Sequence, residues 1–516
     1  MLISPHTIIF NDNTELKRRT SGAYKIANLM QELGWKTTVV EWISAWKKYE
    51  LDEYLDTVIT ENTKLFMISY TWMKHDWFYV FVNRLCKKYP GIKVMLGGQQ
   101  FIQHGYKQVD IALYGYAELA LPDTIDWLFN NGKEPKGVVR PDDLDGMALL
   151  DCNKHYPAMG MGDYSITYQP DDHIQPFEQL TVELSRGCRF QCKYCNYAFL
   201  GVKQDTSTSQ ELLRNELMQN WERWGTTNYI IADDTFNDRD SKLEMLAEVV
   251  ESLPFEPNFA CFIRIDLTVS KPHQLELLSR ARVWGHFYGV ETLHHQAGKA
   301  VGKGMHPDKI KQGLLDMREH MMKTVGLYRG TLGLIAGLPH EPVSSWHETN
   351  QWLLDNWSDN SWEWWPLEIS AEENINTVSE FTHNWQQHGY KEITDPARLE
   401  NIRKMFSRQL GVQHKLDGKS LYWYADWATF EEATEFCHAW RTSDWFKQNH
   451  LMPNFHIMNF LDIRNKDNIL KLTTYNQLYY LFEGPQYEKF IRPYIKAKIK
   501  DARRIKRQSV AGVISP

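Results

Sequence analysis

The chain has 516 residues, 43% of them hydrophobic and 24% charged, which suits about two to four folded domains and excludes a disordered chain. A net charge of −7 does not favour nucleic acid as the partner of the whole molecule, and no run of about eighteen apolar residues is present to span a membrane. Seven cysteines, sparse and odd in number, speak against a disulfide framework and for a reducing compartment, so the cytoplasm is the expected location. Twenty tryptophans, eleven of them beyond residue 340, ask for an explanation.

In chain order, residues 1–135 alternate strand-like and helix-like segments. Strands are expected at Thr7–Phe10, Thr37–Glu41, Leu65–Ser69, Lys93–Leu96 and Ile111–Tyr114. Helices are expected at Ser21–Leu33, Leu51–Glu61, Trp77–Lys88 and Leu119–Asn130. This alternation predicts a doubly wound parallel sheet covered on both faces, with ligands beyond the strand C-termini. Gly97, Gly98 and Gly115 fall there, either as turns or as places where backbone meets a ligand. Residues 136–177, with Pro141, Pro157, Pro170 and Pro176, read as a linker or strap.

From 178 to 370 the alternation restarts. Strands are expected at Leu180–Ser185, Tyr229–Ala232, Phe259–Ile263, His286–Val290, Thr331–Ile335 and Trp364–Ile369. The intervening helices include two starts with capping-box spacing, Ser207-x-x-Gln210 and Ser345-x-x-Glu348. Six repeats are too few for a closed eight-fold barrel and suit a partial (β/α)6 barrel with its chemistry at the strand C-termini. Residues 371–516 are aromatic-rich and read as a mostly helical substrate or lid region, ending in the basic stretch Lys496–Arg507. That stretch is a solvated helix face or a contact for RNA or another polyanion.

The strongest signal is Cys188-Arg189-Phe190-Gln191-Cys192-Lys193-Tyr194-Cys195, just after the first strand of the second repeat. Structural zinc would want four closed ligands, and no further Cys or His pair follows at finger spacing. Three ligands on an open catalytic zinc, chance packing, and an iron–sulfur cluster remain, and thiolates suit the cluster best. Cys86, Cys152, Cys261 and Cys437 are scattered and read as packing.

Cys-x3-Cys-x-aromatic-Cys after a strand resembles the signature of the radical S-adenosylmethionine (SAM) superfamily. The resemblance implies a 4Fe–4S cluster on Cys188, Cys192 and Cys195, with an open iron that chelates SAM, and Tyr194 near the adenine. One electron from an external flavodoxin- or ferredoxin-type donor would cleave SAM and start hydrogen abstraction from a small-molecule or peptide substrate. Four later segments fit the family's strand-end motifs in order. Ala232-Asp233-Asp234 resembles the segment that binds the SAM amino group. Arg264 resembles a carboxylate or ribose contact, and Glu291 the ribose-binding acid. Gly333, Ile335 and Gly337 lie in a stretch similar to the glycine motif against the adenine.

Many members show Gly-Gly-Glu where this chain has Ala232-Asp233-Asp234, and acidic versions occur in members with an N-terminal cobalamin-type domain. Residues 1–135 resemble such a domain, with Gly97, Gly98 and Gly115 as cobalamin-domain contacts. The loop that would supply a lower cobalt ligand, Asp-x-His-x-x-Gly, is absent: Asn11–Arg19 holds no histidine. Either cobalamin binds without that ligand and supports methyl transfer, or the domain is vestigial and the reaction is a rearrangement or dehydrogenation. The scattered cysteines do not supply the second set that methylthio-transferring relatives carry. A different class remains beside these: a metal-stapled RNA-binding protein. The tryptophans flanking the sixth strand read as packing or as flat walls of a substrate pocket, and His340 and His347 as candidate substrate contacts.

Overall fold

The computed structural model describes residues 4–12, 18–70, 75–98, 106–156, 164–176, 178–195, 206–370, 379–409, 420–449 and 485–510. The chain divides into two compact units. The first holds Met1–Val182, Glu211–Thr226 and Leu481–Pro516; the second holds Glu183–Gln210 and Thr227–Tyr480.

The first unit is built on β1 (His6–Phe10), β2 (Lys36–Val40), β3 (Thr63–Ser69), β4 (Lys93–Gly98), β5 (Ile111–Tyr114) and β6 (Ala148–Asp151). They pair in the order β2-β1-β3-β4-β5-β6, all parallel. The order reverses at β1, the hallmark of a doubly wound sheet. Every residue of β1 is buried, as a strand covered on both faces requires. β6 corrects the reading of 136–177 as a plain strap: the segment adds a parallel strand to the sheet edge. Its short Ala-Leu-Leu-Asp run lies among prolines and glycines, so its strand character comes from pairing with β5.

The C-terminal helix Pro485–Val510 also belongs to the first unit. Ile491, Tyr494, Ile495, Lys498, Ile499 and Ala502 recur at helical spacing and are buried, with the apolar ones joining the core beside Trp42, Trp46 and Leu51. The Glu41 N–H donates to the Tyr494 hydroxyl at 3.0 Å, and Arg492 pairs with Glu50 at 2.6 Å. Lys496, Lys500, Arg503, Arg504 and Arg507 occupy the exposed face. The basic tail is thus one side of an amphipathic helix whose other side is core. It edges a groove of about 1150 Å³, whereas the cysteine loop lies in the second unit.

β7 (Gln179–Val182) ends the first stretch of unit one, and the short β8 (Ser185–Arg186) and β9 (Thr206–Ser207) pair antiparallel in unit two. The second unit's parallel sheet runs β14 (Ser361–Pro366), β13 (Arg329–Ala336), β12 (Val283–Glu291), β11 (Asn258–Ile263) and β10 (Asn228–Ile231). These five, together with β7 in the first unit, account for the six strands expected of the partial barrel, with helices between them.

Neither predicted capping box caps a helix. Ser207 sits in β9, where its hydroxyl accepts from Arg239 at 2.9 Å. The helix Val343–Asn356 starts two residues before Ser345, with Pro342 at its N-cap. A box does form at Thr429, whose hydroxyl accepts from the Glu432 N–H while Glu432 accepts from the Thr429 N–H at 2.8 Å.

Candidate cluster and cofactor site

The cysteine loop opens where β8 ends. Gly187 takes a left-handed φ of 96°, turning the chain out of the strand. The Cys195 N–H donates to the Cys192 carbonyl at 3.0 Å, and the Lys193 N–H to the Val301 carbonyl at 3.3 Å. These bonds hold Cys188, Cys192 and Cys195 half-buried on one short loop. Cys152, Cys261 and Cys437 are buried elsewhere, and burial pushes each thiol pKa up, as suits inert packing residues. Among the described residues, no three His, Cys, Asp or Glu side chains converge as they would on one metal ion. Three thiolates spread around a 4Fe–4S cluster need not do so, and the donor set is the one such a cluster takes.

A buried ionic knot ties this loop to the end of β10. Asp233 accepts from Ser185 at 2.5 Å, from the Thr235 N–H at 3.0 Å and from Lys242 at 2.8 Å. Lys242 is 2% exposed and also pairs with Asp238 at 2.6 Å. Burial alone would lower its pKa, but the Asp233 and Asp238 carboxylates outweigh that and raise it. Asp233 is thereby committed to the protein, while Asp234 next to it is exposed. Of the predicted pair, Asp233 is the buried one and Asp234 the exposed one.

Arg264 follows β11. Its guanidinium grips Asp266 through two bonds, at 3.0 and 2.7 Å, lies 4.1 Å from the Phe190 ring centroid, and donates to the Cys192 sulfur at 3.4 Å. Glu291 ends β12 in a left-handed conformation, φ 66°, beside a register shift. For a residue with a Cβ this costs of order 1–2 kcal/mol. The Tyr194 hydroxyl donates to its carboxylate at 2.7 Å, and Lys303 reaches it at 3.2 Å. Tyr194, from the cysteine loop, and Glu291, from the strand end, are thus brought together.

Gly333 and Ile335 share a face of the sheet with Phe287 and Gly289, since paired residues of parallel strands point the same way. A Cβ on Gly333 would come 3.1 Å from the Phe287 ring. Gly337 is glycine for two reasons: its φ is 103°, and a Cβ there would lie 2.3 Å from the Trp423 ring. In the first unit a Cβ on Gly97 would meet nothing, whereas one on Gly115 would strike Asn153 at 2.6 Å. Gly98 ends β4 with φ 141°. Gly115 is glycine both for its left-handed φ of 88° and for Asn153, while no described atom stands against Gly97. Residues 13–17, in the loop that lacks the histidine, lie outside the described residues.

His340 lies against Trp427, and His347 against Phe436 on the helix Phe430–Thr442. The sequence reading missed Ser185, Lys242 and Lys303. Nothing local marks them, because each gains its meaning from a partner 9 to 57 residues away.

Residues 182–353 match the model of the Radical SAM superfamily. No curated protein matches the sequence. Among solved structures, the fold is similar to TsrM from Kitasatospora setae, a radical S-adenosylmethionine methyltransferase with tryptophan substrate and a SAM analogue bound. The TM-score is 0.58 at 10% identity, over 76% of this chain and 79% of that one. It is also similar to OxsB, a cobalamin-dependent S-adenosylmethionine radical enzyme with aqua-cobalamin and S-adenosylmethionine bound. There the TM-score is 0.55 at 12% identity, over 99% of this chain and 82% of that one. At these identities the likeness is one of fold. No helix among the described residues is long and apolar enough to cross a membrane.

Proposed function

From the premise that residues 182–353 form a radical SAM domain, we propose that this chain cleaves S-adenosylmethionine reductively and uses the resulting radical to abstract hydrogen from a substrate. The observation that carries the reading is the loop presenting Cys188, Cys192 and Cys195 beside a Tyr194–Glu291 pair. A bound 4Fe–4S cluster would supply the electron that breaks the sulfonium; the chain's residues bind, orient and shield. The three thiolates hold the cluster. Asp234 accepts from the amino group of SAM, Glu291 orients the ribose, and the Gly333–Gly337 stretch runs beside the adenine.

The finer reading is cobalamin-assisted methyl transfer. The doubly wound sheet, the open space at Gly97 and the likeness to two enzymes of this architecture support it. Cobalamin would then bind without a histidine from the chain. The rival, a vestigial first domain and a non-methylating reaction, is favoured by the missing histidine and by Asn153 filling the space at Gly115. In this division of labour the first unit's sheet serves cobalamin and the sheet of the second unit serves the radical chemistry, while Pro485–Val510 belongs to the first unit and not to a cover over the substrate.

Anaerobic purification should give a brown protein with about four irons and four sulfides per chain. With reductant and SAM it should release 5′-deoxyadenosine or methionine. A colourless protein holding only zinc overturns the reading. Growth with cobalamin, followed by a visible spectrum of the purified protein, separates the two finer readings.

A further inference from the structure

We propose that Arg264 is a positioning residue that tunes the cysteine-held cluster through the Cys192 sulfur, with a smaller contribution from Thr235 through Cys188, rather than a ligand of the SAM carboxylate. The proposal rests on the cluster reading above and concerns what surrounds the thiolates.

Arg264 is held from every side. The Asn237 side-chain carbonyl accepts from its backbone N–H at 2.9 Å, and the Asn237 amide donates to its backbone carbonyl at 2.9 Å. Nε and Nη2 are committed to Asp266, and the flat of the guanidinium is covered by Phe190. Phe190 is itself part of the cysteine loop, between Cys188 and Cys192. What remains directed outward is the Nη1 edge, and it meets the Cys192 sulfur at 3.4 Å. Reaching a carboxylate elsewhere would break a two-bond ion pair at a residue only 8% exposed. An arginine guanidinium is a cation at any working pH.

Thr235 sits 3.6 Å from the Cys188 sulfur, and its hydroxyl also donates to the Asp234 carbonyl at 2.7 Å. One hydroxyl proton serves two acceptors, so its share at the sulfur is the lesser. Reduction adds one electron to a cluster already made negative by its thiolates. Hydrogen bonds and positive charge at the sulfurs stabilise the reduced form more than the oxidised one. Arg264 therefore makes the cluster easier to reduce, and Phe190 couples its position to the loop that carries the ligands.

The test uses the full chain, loaded with iron and sulfide, in an anaerobic potentiometric titration with dithionite and mediator dyes, without SAM. The reduced cluster is read by its electron paramagnetic resonance signal per iron. At the potential that half-reduces the wild type, Arg264→Met should give about fivefold less reduced signal, with Arg264→Lys in between. Thr235→Val should give about twofold less, and Thr235→Ser should match the wild type. SAM affinity, measured by equilibrium dialysis, should change less than about threefold in the Arg264 variants. An iron-loaded Arg264→Met that titrates like the wild type overturns the proposal. So does a loss of SAM affinity beyond about tenfold with an unmoved titration, which would make Arg264 the carboxylate ligand after all. If Arg264→Met fails to hold iron, Arg264→Lys decides: an iron-loaded, shifted titration supports the proposal, and an unshifted one or a second loss of iron overturns it. A wild type that binds no iron is a failure of the cluster reading itself, seen before any variant is made.

Discussion

Lys242→Met is the sharpest test of how the cysteine loop is supported. The ammonium is 2% exposed and lies 2.8 Å from Asp233, 2.6 Å from Asp238, and 3.3 Å from both the Ser185 hydroxyl and the Thr235 carbonyl. Methionine keeps much of the volume but leaves two buried carboxylates facing each other without a cation. Removing one member of a buried ion pair costs about 3–5 kcal/mol, because the partner's desolvation is no longer offset. In a unit of this size that corresponds to a fall in Tm of roughly 10 °C. Denaturant unfolding followed by tryptophan fluorescence is a suitable assay, since all eleven tryptophans beyond residue 340 lie in the second unit. Adding Asp233→Asn and Asp238→Asn to Lys242→Met should recover a large part of the loss, because the neutral amides no longer need a counter-charge. The loss should also reach the loop, because Ser185 stands three residues before Cys188. A Lys242→Met chain within about 1 kcal/mol of the wild type would refute the claim that this knot holds the loop in place.

Glu341 is fully buried, accepts from the Thr292 hydroxyl at 2.5 Å, and has its pKa pushed by burial from 4.5 up to about 8. A raised folded value means the protonated form is favoured in the fold. Its stability contribution is therefore whole below pH 4.5 and is lost as pH rises through about 8. Unfolding free energies measured from pH 5 to 9 should fall by at most about 5 kcal/mol, and Glu341→Gln should flatten the slope. Gly337→Ala should destabilise by several kcal/mol in denaturant titrations. Adding Trp423→Ala should relieve the clash but not the roughly 1–2 kcal/mol of left-handed backbone strain. Cys188→Ser should lower the iron bound per chain while Cys437→Ser, on a buried thiol of the helix Phe430–Thr442, should leave it unchanged.

The alternation of strands and helices was legible because each element carries its own periodicity. Helix starts were less so: the expected Ser207 box is a strand residue, and a box that does form is at Thr429. A Ser-x-x-Glu spacing states only what a cap would need, and the backbone decides whether a helix begins there. β6 and the C-terminal helix were missed as parts of the first unit for another reason. Tyr494 finds Glu41 across 453 residues, a pairing no local pattern announces. The cysteine spacing was legible because one loop holds all three ligands. Asp233 and Asp234 looked equivalent, and it is Lys242, Ser185 and the Thr235 N–H, gathered on Asp233, that distinguish the buried one from the exposed one.

The tryptophan excess yields to the same logic of faces. In β14, Ser-Trp-Glu-Trp-Trp-Pro, Trp362 and Trp364 alternate with Glu363 and Trp365. Trp362 and Trp364 are fully buried on the helix-covered side, where Trp362 stacks on Trp440 at 5.0 Å and Trp364 meets Phe436 edge-on at 5.0 Å. Trp346, Trp357 and Trp423 are fully buried too. Most of the excess therefore builds walls, each ring pair adding about 0.5–1.5 kcal/mol beyond its buried area. Glu363 and Trp365 point the other way, the side shared with Gly333 and Ile335. Trp365 is 37% exposed beneath the Arg441 guanidinium at 4.1 Å, and burial raises the Glu363 pKa against the pull of Arg441.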